Sequence, residues 1–210
     1  MTRRAVIVGG FTTGQRLLEP LAEATCNHFG FDDAEIFTFT DVITSPHRLE
    51  QASRQQSVIA HSAGLLAVAK CSGMERVFAL NAPEPMAASR LVVRAAVKTA
   101  QLYKTVVTGP NRAGAAGVVL SNAQEGLVHP VAHAKQIVAV SKFSGRQQLS
   151  HMEDAGVAVS WVNTSADEFF GPHSAYSWDG QSAVLAGCHD QVLIDPAGFM
   201  DQLPREALSD

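Results

Sequence analysis

A serine at position 62 stands where its hydroxyl could act as a nucleophile. Ser62 follows a short apolar run, 57–60, and begins the segment 62–71 (SAGLLAVAKC), whose composition is typical of a buried helix. Small residues, Ala60 and Gly64, lie two positions away on either side. A sharp turn from a strand into a helix needs this spacing, because it pushes the serine hydroxyl out of the sheet and leaves no room for large neighbours.

The pentapeptide Ala60-His-Ser-Ala-Gly64 resembles the nucleophile turn of the α/β-hydrolase family, whose usual pattern is G-x-S-x-G. Ala60 replaces the first glycine, and as the next smallest residue it should preserve the turn with some strain. His61 adjoins the serine but is expected to point elsewhere, so we interpret it as structural and not as the base. On the pentapeptide alone, an ordinary serine N-cap of a helix stays an open alternative.

The resemblance implies that an acid and then a histidine follow the serine along the chain. The predicted strand 157–162 is followed by Asp167, at the position where the family carries its acid. His189 lies in a segment with a preceding glycine, an acidic neighbour and a proline-led final helix, and this segment resembles the histidine loop of the family. We therefore expect Ser62, Asp167 and His189 to form a catalytic triad.

Other side chains compete for these roles. The competitors are Glu168, Asp154 and Asp179 for the acid, and His151 and His173 for the base. Asp190 is expected to be a solvated neighbour of the base, and thiol catalysis by Cys188 is disfavoured because adjacent residues on a strand point apart. His129 and His133 are spaced like a metal pair on a helix, but Pro130 lies between them and no Glu-x-x-type partner accompanies them. We therefore predict no metal site.

A glycine-rich segment, 9–14 (GGFTTG), follows the first predicted strand. It lacks the G-x-G-x-x-G spacing, and Gln15 stands where a P-loop would need lysine, so phosphate binding is disfavoured. The segment resembles the family's loop that supplies the second oxyanion donor, although Gly9 replaces the usual histidine. A simple strand-to-helix turn is the alternative.

The resemblance implies an oxyanion hole made by the backbone N–H groups of Phe11 and Ala63. Gly10, Thr12 and His61 are then expected at the substrate pocket. The reaction implied is hydrolysis of an ester or thioester of a small to medium acyl substrate, without a cofactor. Related chemistry on the same fold stays open, namely C–C bond hydrolysis, amide hydrolysis or acyl transfer, as does a non-catalytic small-molecule binder.

Strand and helix patterns alternate along the chain. The predicted strands are 5–8, 34–40, 57–60, 77–80, 157–162 and 183–186, and the predicted helices are 15–29, 46–56, 62–71, 90–107, 132–152 and 196–203. This alternation predicts an α/β fold over residues 1–210, a mostly parallel central sheet of about six strands flanked by helices. Residues 86–130, which include an irregular stretch at 108–117, are predicted to form a helical lid insertion.

Composition limits the class of partner. The chain of 210 residues carries a formal net charge of −4, so nothing favours nucleic acid or an anionic membrane surface. No apolar stretch approaches the roughly 18 residues of a membrane span. The three cysteines are widely spaced and form no CxxC pair, which suits reduced thiols. We expect a cytoplasmic protein that acts on a small molecule, and homodimerisation stays open.

Overall fold

One parallel sheet organises the protein. The computed structural model describes residues 3–128, 130–170 and 181–203. The strands are β1 (Arg4–Val8), β2 (Asp33–Phe37), β3 (Ser57–His61), β4 (Arg76–Leu80), β5 (Ala158–Ala166) and β6 (Gln181–Cys188). Within the described residues they form a six-stranded sheet in the order β2-β1-β3-β4-β5-β6, and every neighbouring pair is parallel. The predicted fold class is confirmed.

Helices connect the strands and cover both faces of the sheet. They are α1 (Gln15–Phe29), α2 (Phe39–Thr44), α3 (Pro46–Ser53), α4 (Leu65–Val68), α5 (Ala88–Thr108), α6 (Arg112–Val128), α7 (Pro130–Ser141), α8 (Gly145–Asp154), α9 (Gln191–Ile194) and α10 (Pro196–Met200). Residues from α1, α6, α9 and α10 share one core cluster. Residues from α3, α4 and α8 share the other cluster.

The two clusters explain why β1, β3 and β4 are apolar over most of their length. Along β1, Ala5 and Ile7 belong to the first cluster, whereas Val6 and Val8 belong to the second. Successive side chains on a strand point to opposite faces, so a sheet covered on both sides needs apolar residues at every position. The same alternation continues through β3, β4 and β5.

The predicted strand 34–40 was too long at its end. The observed strand β2 ends at Phe37, and Thr38 caps helix α2. The Thr38 hydroxyl accepts the backbone N–H of Asp41, while the Asp41 carboxylate accepts the backbone N–H of Thr38. This reciprocal capping box ends the strand although the following residues have high β-propensity.

The irregular stretch predicted at 108–117 is wrong in its second half. Helix α5 ends at Thr108 and α6 begins at Arg112, so only a short turn separates them. A Cβ at Gly114 would lie 2.2 Å from the backbone oxygen of Ile194. The glycine in this helix therefore serves close packing of α6 against α9, and it does not mark a break.

Three predicted helices also differ from the observed ones. The predicted helix 132–152 is two helices, because Ser144 caps α8 through the backbone N–H of Gln147. The predicted helix 62–71 is a 3₁₀ turn, Ser62–Gly64, followed by the short α4, with tightened turns beyond it. The final predicted helix 196–203 ends at Met200.

Helices α5 and α6 of the segment 86–130 both pack into the core and both border a cavity. Leu102 of α5 and Ala115 and Val118 of α6 are buried in the same core cluster. Leu91 of α5 and Asn122 of α6 line a cavity at the carboxyl edge of the sheet. A lid role for this segment stays a prediction. No described helix is long and apolar enough to cross a membrane.

Candidate active site

The predicted site residues converge at one edge of the sheet. The strands are parallel, so their carboxyl ends meet at the same edge, where ligands bind in open α/β sheets. Ser62 follows β3, Asp167 follows β5 and His189 follows β6. The glycine-rich loop 9–14 follows β1 at the same edge.

The turn at Ser62 is sharp and tightly packed. Ser62 has φ +53°, a left-handed conformation that L-residues other than glycine rarely adopt. A Cβ at Gly64 would lie 2.7 Å from the backbone oxygen of Val8, and a Cβ at Gly10 would lie 2.9 Å from that of His61. The loop after β1 therefore packs directly on the serine turn, and only glycine fits at these two positions.

Ser62, His189 and Asp167 form a hydrogen-bonded chain. The Ser62 Oγ lies 2.9 Å from His189 Nε2, and His189 Nδ1 lies 3.0 Å from Asp167 Oδ2. All three residues are buried. In this chain the carboxylate can hold the Nδ1–H tautomer, which leaves Nε2 free to accept the serine proton.

The Asp167 carboxylate is held in its ionised form. Its second oxygen, Oδ1, accepts the backbone N–H groups of Phe169 and Phe170, both at 2.8 Å. Burial alone would raise the pKa of Asp167, but the charge and hydrogen bond of His189, together with the two N–H donors, hold it below its usual value.

The competing residues lie in other environments. Glu168 accepts the backbone N–H of His189 at 3.1 Å, and burial raises the pKa of its carboxyl group. His151 and Asp154 are exposed on α8. Burial raises the pKa of Cys188 to about 12, and nearby carboxylates contribute less to this shift. Its thiol therefore stays protonated. The candidates His129, His173 and Asp179 lie outside the described residues, as does the side chain of His133.

Asn81, which the sequence analysis missed, holds the histidine loop in place. It follows β4, is fully buried and has φ +51°. Its Nδ2 donates to the backbone oxygen of His189 at 2.7 Å, while its Oδ1 accepts the backbone N–H of Thr164 at 2.8 Å. A buried asparagine directly after an apolar strand is the signal that could have identified it.

Two buried neighbours of His189 are His61 and Asp190, and Asp190 differs from what the sequence suggested. Asp190 is buried, not solvated, and its Oδ2 lies 2.9 Å from the ammonium of Lys98. His61 is buried, and burial, with smaller contributions from neighbouring charges, lowers its pKa to about 3. Donor atoms of His61, His189 and Asp190 lie within 4.8 Å of one another. Both ring nitrogens of His189 are already hydrogen-bonded and Asp190 is paired with a cation, so this cluster does not form a metal-ligand set.

A cavity of about 270 Å³ opens beside Ser62 and His189. Its walls are mostly apolar, and its lining includes Phe11, Thr12, His61, Leu91, Lys98 and Phe169. Gly10 is not among the lining residues, because it packs against the serine turn. A second cavity, of about 1000 Å³, is lined by Ala63 but not by Ser62 or His189.

Helix α6 is joined by hydrogen bonds to the loop 9–14, which follows β1. The Ser121 hydroxyl donates to the backbone oxygen of Thr12 and accepts the backbone N–H of Gly14, each at 3.0 Å. The Thr12 hydroxyl contacts the Asn122 side chain. The loop that carries Phe11 is therefore fixed between the serine turn and helix α6.

Comparison with known proteins identifies the fold. No protein-family model matches the chain, and no curated protein matches it in sequence. A carboxylesterase of Nitrososphaera gargenis matches with a TM-score of 0.65 at 13% identity, covering 96% of this chain and 88% of that one. A thermophilic esterase of Thermogutta terrifontis matches with a TM-score of 0.58 at 12% identity, covering 95% and 87%. A meta-cleavage product hydrolase of Pseudomonas fluorescens matches with a TM-score of 0.60 at 9% identity, covering 95% and 88%.

These structures and the parallel six-stranded sheet define the class. The chain has the α/β-hydrolase fold. At identities this low the likeness establishes the fold, and an activity has to be argued from the site itself.

Proposed function

We propose that the protein is a serine hydrolase that cleaves an ester or thioester of a small to medium acyl substrate. The observation that carries this proposal is the hydrogen-bonded chain from Ser62 Oγ through His189 to Asp167, with contacts of 2.9 and 3.0 Å. A nucleophile, a base and an orienting carboxylate at these distances are what acyl transfer through a covalent intermediate requires.

In the proposed reaction His189 removes the proton from Ser62 as the hydroxyl oxygen attacks the acyl carbonyl carbon. The N–H groups of Phe11 and Ala63 are our assigned donors to the oxyanion. His189 then protonates the leaving group, and an acyl-enzyme forms on Ser62. A water molecule, deprotonated by His189, cleaves the acyl-enzyme and restores the serine. Asp167 stabilises the imidazolium in both steps.

The size of the cavity beside Ser62 favours substrates with a small acyl group. It measures about 270 Å³, and Leu91, Ala95, Ile137 and Phe169 give it apolar walls. An apolar pocket of this kind favours hydrocarbon chains by removing their surface from water. We therefore expect acetyl to butanoyl esters to be turned over faster than hexadecanoyl esters.

The test combines a covalent probe with a substrate panel. A fluorophosphonate should label Ser62 in the wild type, and the variant Ser62→Ala should neither be labelled nor retain more than a trace of turnover. Ser165→Ala, at an exposed position on β5, is the matched control. Full turnover by Ser62→Ala would refute the mechanism. Labelling without hydrolysis of p-nitrophenyl esters or acyl-CoA would instead direct the search to amides, C–C bonds or acyl transfer.

A further inference from the structure

A buried ion pair lies beside the histidine, and the triad does not use it. Asp190 is 1% exposed, and its carboxylate is 2.9 Å from the ammonium of Lys98, whose side chain is 14% exposed. Burial opposes the ionisation of Asp190, but Lys98, with smaller contributions from His189 and His61, holds the pKa of this carboxyl group below its usual value. The Asp190 carboxylate is therefore held in its ionised form beside Lys98.

This pair differs from the surface pairs that Arg4, Arg48 and Arg54 form with carboxylates. The side chains in those pairs are all at least 17% exposed, for example Arg48 with Glu35. Exposed pairs contribute little to stability, whereas breaking a buried pair leaves an uncompensated charge and is costly. The free energy of unfolding should therefore fall more when Lys98 alone is replaced than when Lys98 and Asp190 are replaced together.

Lys98 belongs to a helix that contacts both catalytic loops. One turn before it on α5, Arg94 Nη1 donates to the backbone oxygen of Phe169 at 3.3 Å. The Lys98 ammonium itself lies 5.4 Å from the centre of the Phe169 ring. Phe169 follows Asp167 and donates its N–H to that carboxylate. Helix α5 thus holds the acid segment through Arg94 and the histidine loop through Lys98.

The same helix forms a wall of the cavity beside Ser62. Leu91, Ala95 and Lys98 all line it, at successive positions along one face of α5. The Lys98–Asp190 ion pair therefore links the placement of α5 at the cavity to the placement of His189.

We propose that Lys98 is a positioning residue for the reaction. Through its ion pair with Asp190 it fixes the histidine loop against α5. Its positive charge also offsets the negative charge of the Asp190 carboxylate beside His189. The inference rests on the proposed function, because it assigns Lys98 a role through the base of that reaction.

The electrostatic consequence follows from the groups around His189. The ionisable groups that face it are Asp167 and Glu168 after β5, His61 at the end of β3, Asp190 in its own loop, and Lys98 on α5. Removing the Lys98 charge leaves Asp190 as an unpaired carboxylate next to the imidazole. A nearby negative charge favours the imidazolium form, so the pH below which kcat/KM falls should rise in such a variant.

The experiment measures kcat/KM against pH for three variants with a p-nitrophenyl ester. In Lys98→Met the acid limb of the profile should move to higher pH by about one unit, with a roughly fivefold loss of kcat/KM at the wild-type midpoint. In Lys98→Met/Asp190→Asn the limb should return to the wild-type position. Lys104→Met, an exposed lysine on the same helix, is the matched control and should retain the wild-type profile. A Lys98→Met limb that superimposes on that of Lys104→Met would overturn the proposal.

Thermal unfolding at pH 7 provides a readout that does not depend on turnover. Lys98→Met should have a lower Tm than the double variant, because only the single variant buries an unpaired charge. Equal Tm values, or a double variant less stable than the single one, would overturn the proposal whatever the activity. If the wild type fails to react with esters or fluorophosphonate, the proposed function fails, and the Tm comparison still decides whether Lys98 and Asp190 act as a pair.

Discussion

The side-chain amide of Asn81 donates to the backbone carbonyl of His189 at 2.7 Å, and so joins the end of β4 to the histidine loop. Its carbonyl oxygen accepts from the backbone of Thr164 on β5, so one buried side chain satisfies groups on two further segments. Asparagine tolerates the left-handed backbone at this position, φ +51°, better than most residues do. Asn81 therefore combines a conformational role with a positioning one.

Asn81→Ala should destabilise the protein and misplace the histidine. The buried backbone oxygen of His189 and backbone N–H of Thr164 would lose the hydrogen bonds that Asn81 provides, which should lower the free energy of unfolding by about 2–4 kcal/mol. Urea unfolding measures the stability, and ester turnover reports the position of His189. Asn81→Gly is the control for backbone strain, because it removes the amide but accepts a positive φ. It should be about 1 kcal/mol more stable than Asn81→Ala. Wild-type turnover in both variants would show that Asn81 does not position the base.

Asp167→Asn should reduce ester turnover by about 10⁴-fold. The two N–H groups of the Phe169–Phe170 turn would still hold the side-chain oxygen, so the amide NH₂ would face His189 Nδ1. That arrangement favours the wrong tautomer, in which Nε2 carries the proton and cannot accept from Ser62. Steady-state kinetics on a p-nitrophenyl ester provide the measurement.

Glu168→Gln is the matched control for the acid. The glutamine side chain keeps an oxygen that can accept the backbone N–H of His189, as Glu168 does. In the native protein, burial raises the pKa of the Glu168 carboxyl group. We expect less than a tenfold loss of kcat. A larger loss in Glu168→Gln than in Asp167→Asn would exchange the roles of the two residues.

The fold, and the meeting of Ser62, Asp167 and His189 at one place, could be predicted from the sequence for one physical reason. Parallel strands buried on both faces form continuous apolar runs, and their ends bring chemical groups to one edge of the sheet. Ser62, Asp167 and His189 each stand directly after such a run or close to it. Periodicity and a resemblance in local motifs were enough to find them.

What the sequence could not predict depends on contacts between distant segments. Lys98 is an ordinary helical lysine until the fold brings it to Asp190, 92 positions away along the numbering. Asp190 was expected to be solvated for the same reason. Gly114 suggested a break, because nothing local shows that Ile194 packs against it. In each case tertiary packing determines which distant residue makes the contact. The residues next to it in the sequence do not indicate that contact.

Gly10→Ala should impair catalysis more than it impairs folding. The added Cβ would lie 2.9 Å from both the backbone oxygen of His61 and the Cβ of Ser62, so the loop after β1 must move away from the serine turn. A displacement of about 1 Å among catalytic groups can cost roughly 100-fold in rate. We expect kcat to fall by 10- to 100-fold, by the same argument, while the folded protein persists.

Gly117→Ala is the control for that substitution. A Cβ there would meet only Leu17 Cδ2, at 3.5 Å, within ordinary contact distance. Alanine is favoured over glycine inside a helix by about 1 kcal/mol, so this variant should be at least as stable as the wild type. Circular dichroism and kcat are measured for both variants. Unchanged kcat in Gly10→Ala would show that the loop does not need its close approach to Ser62.

Stability should fall as the pH drops from 7 to 5 because His61 is buried in its neutral form. Its folded pKa is lowered to about 3, below the usual value of 6.5, chiefly by burial and then by the proximity of His189. Between those two values the unfolded chain binds a proton that the folded protein excludes. The contribution is therefore fully present above the unfolded pKa and is lost progressively as the pH falls below it, by about 2 kcal/mol at pH 5.

His61→Phe isolates that contribution, because phenylalanine keeps a buried ring but cannot titrate. The free energy of unfolding in urea, measured at pH 7, 6 and 5, should decline more steeply in the wild type, with a difference of about 2 kcal/mol across the range. Comparing the two proteins cancels the titration of Glu168 and the remaining groups. His47→Phe makes the same change at an exposed histidine and should follow the wild-type slope. Parallel slopes for wild type and His61→Phe would mean that His61 gains its proton in the folded state as readily as in the unfolded chain.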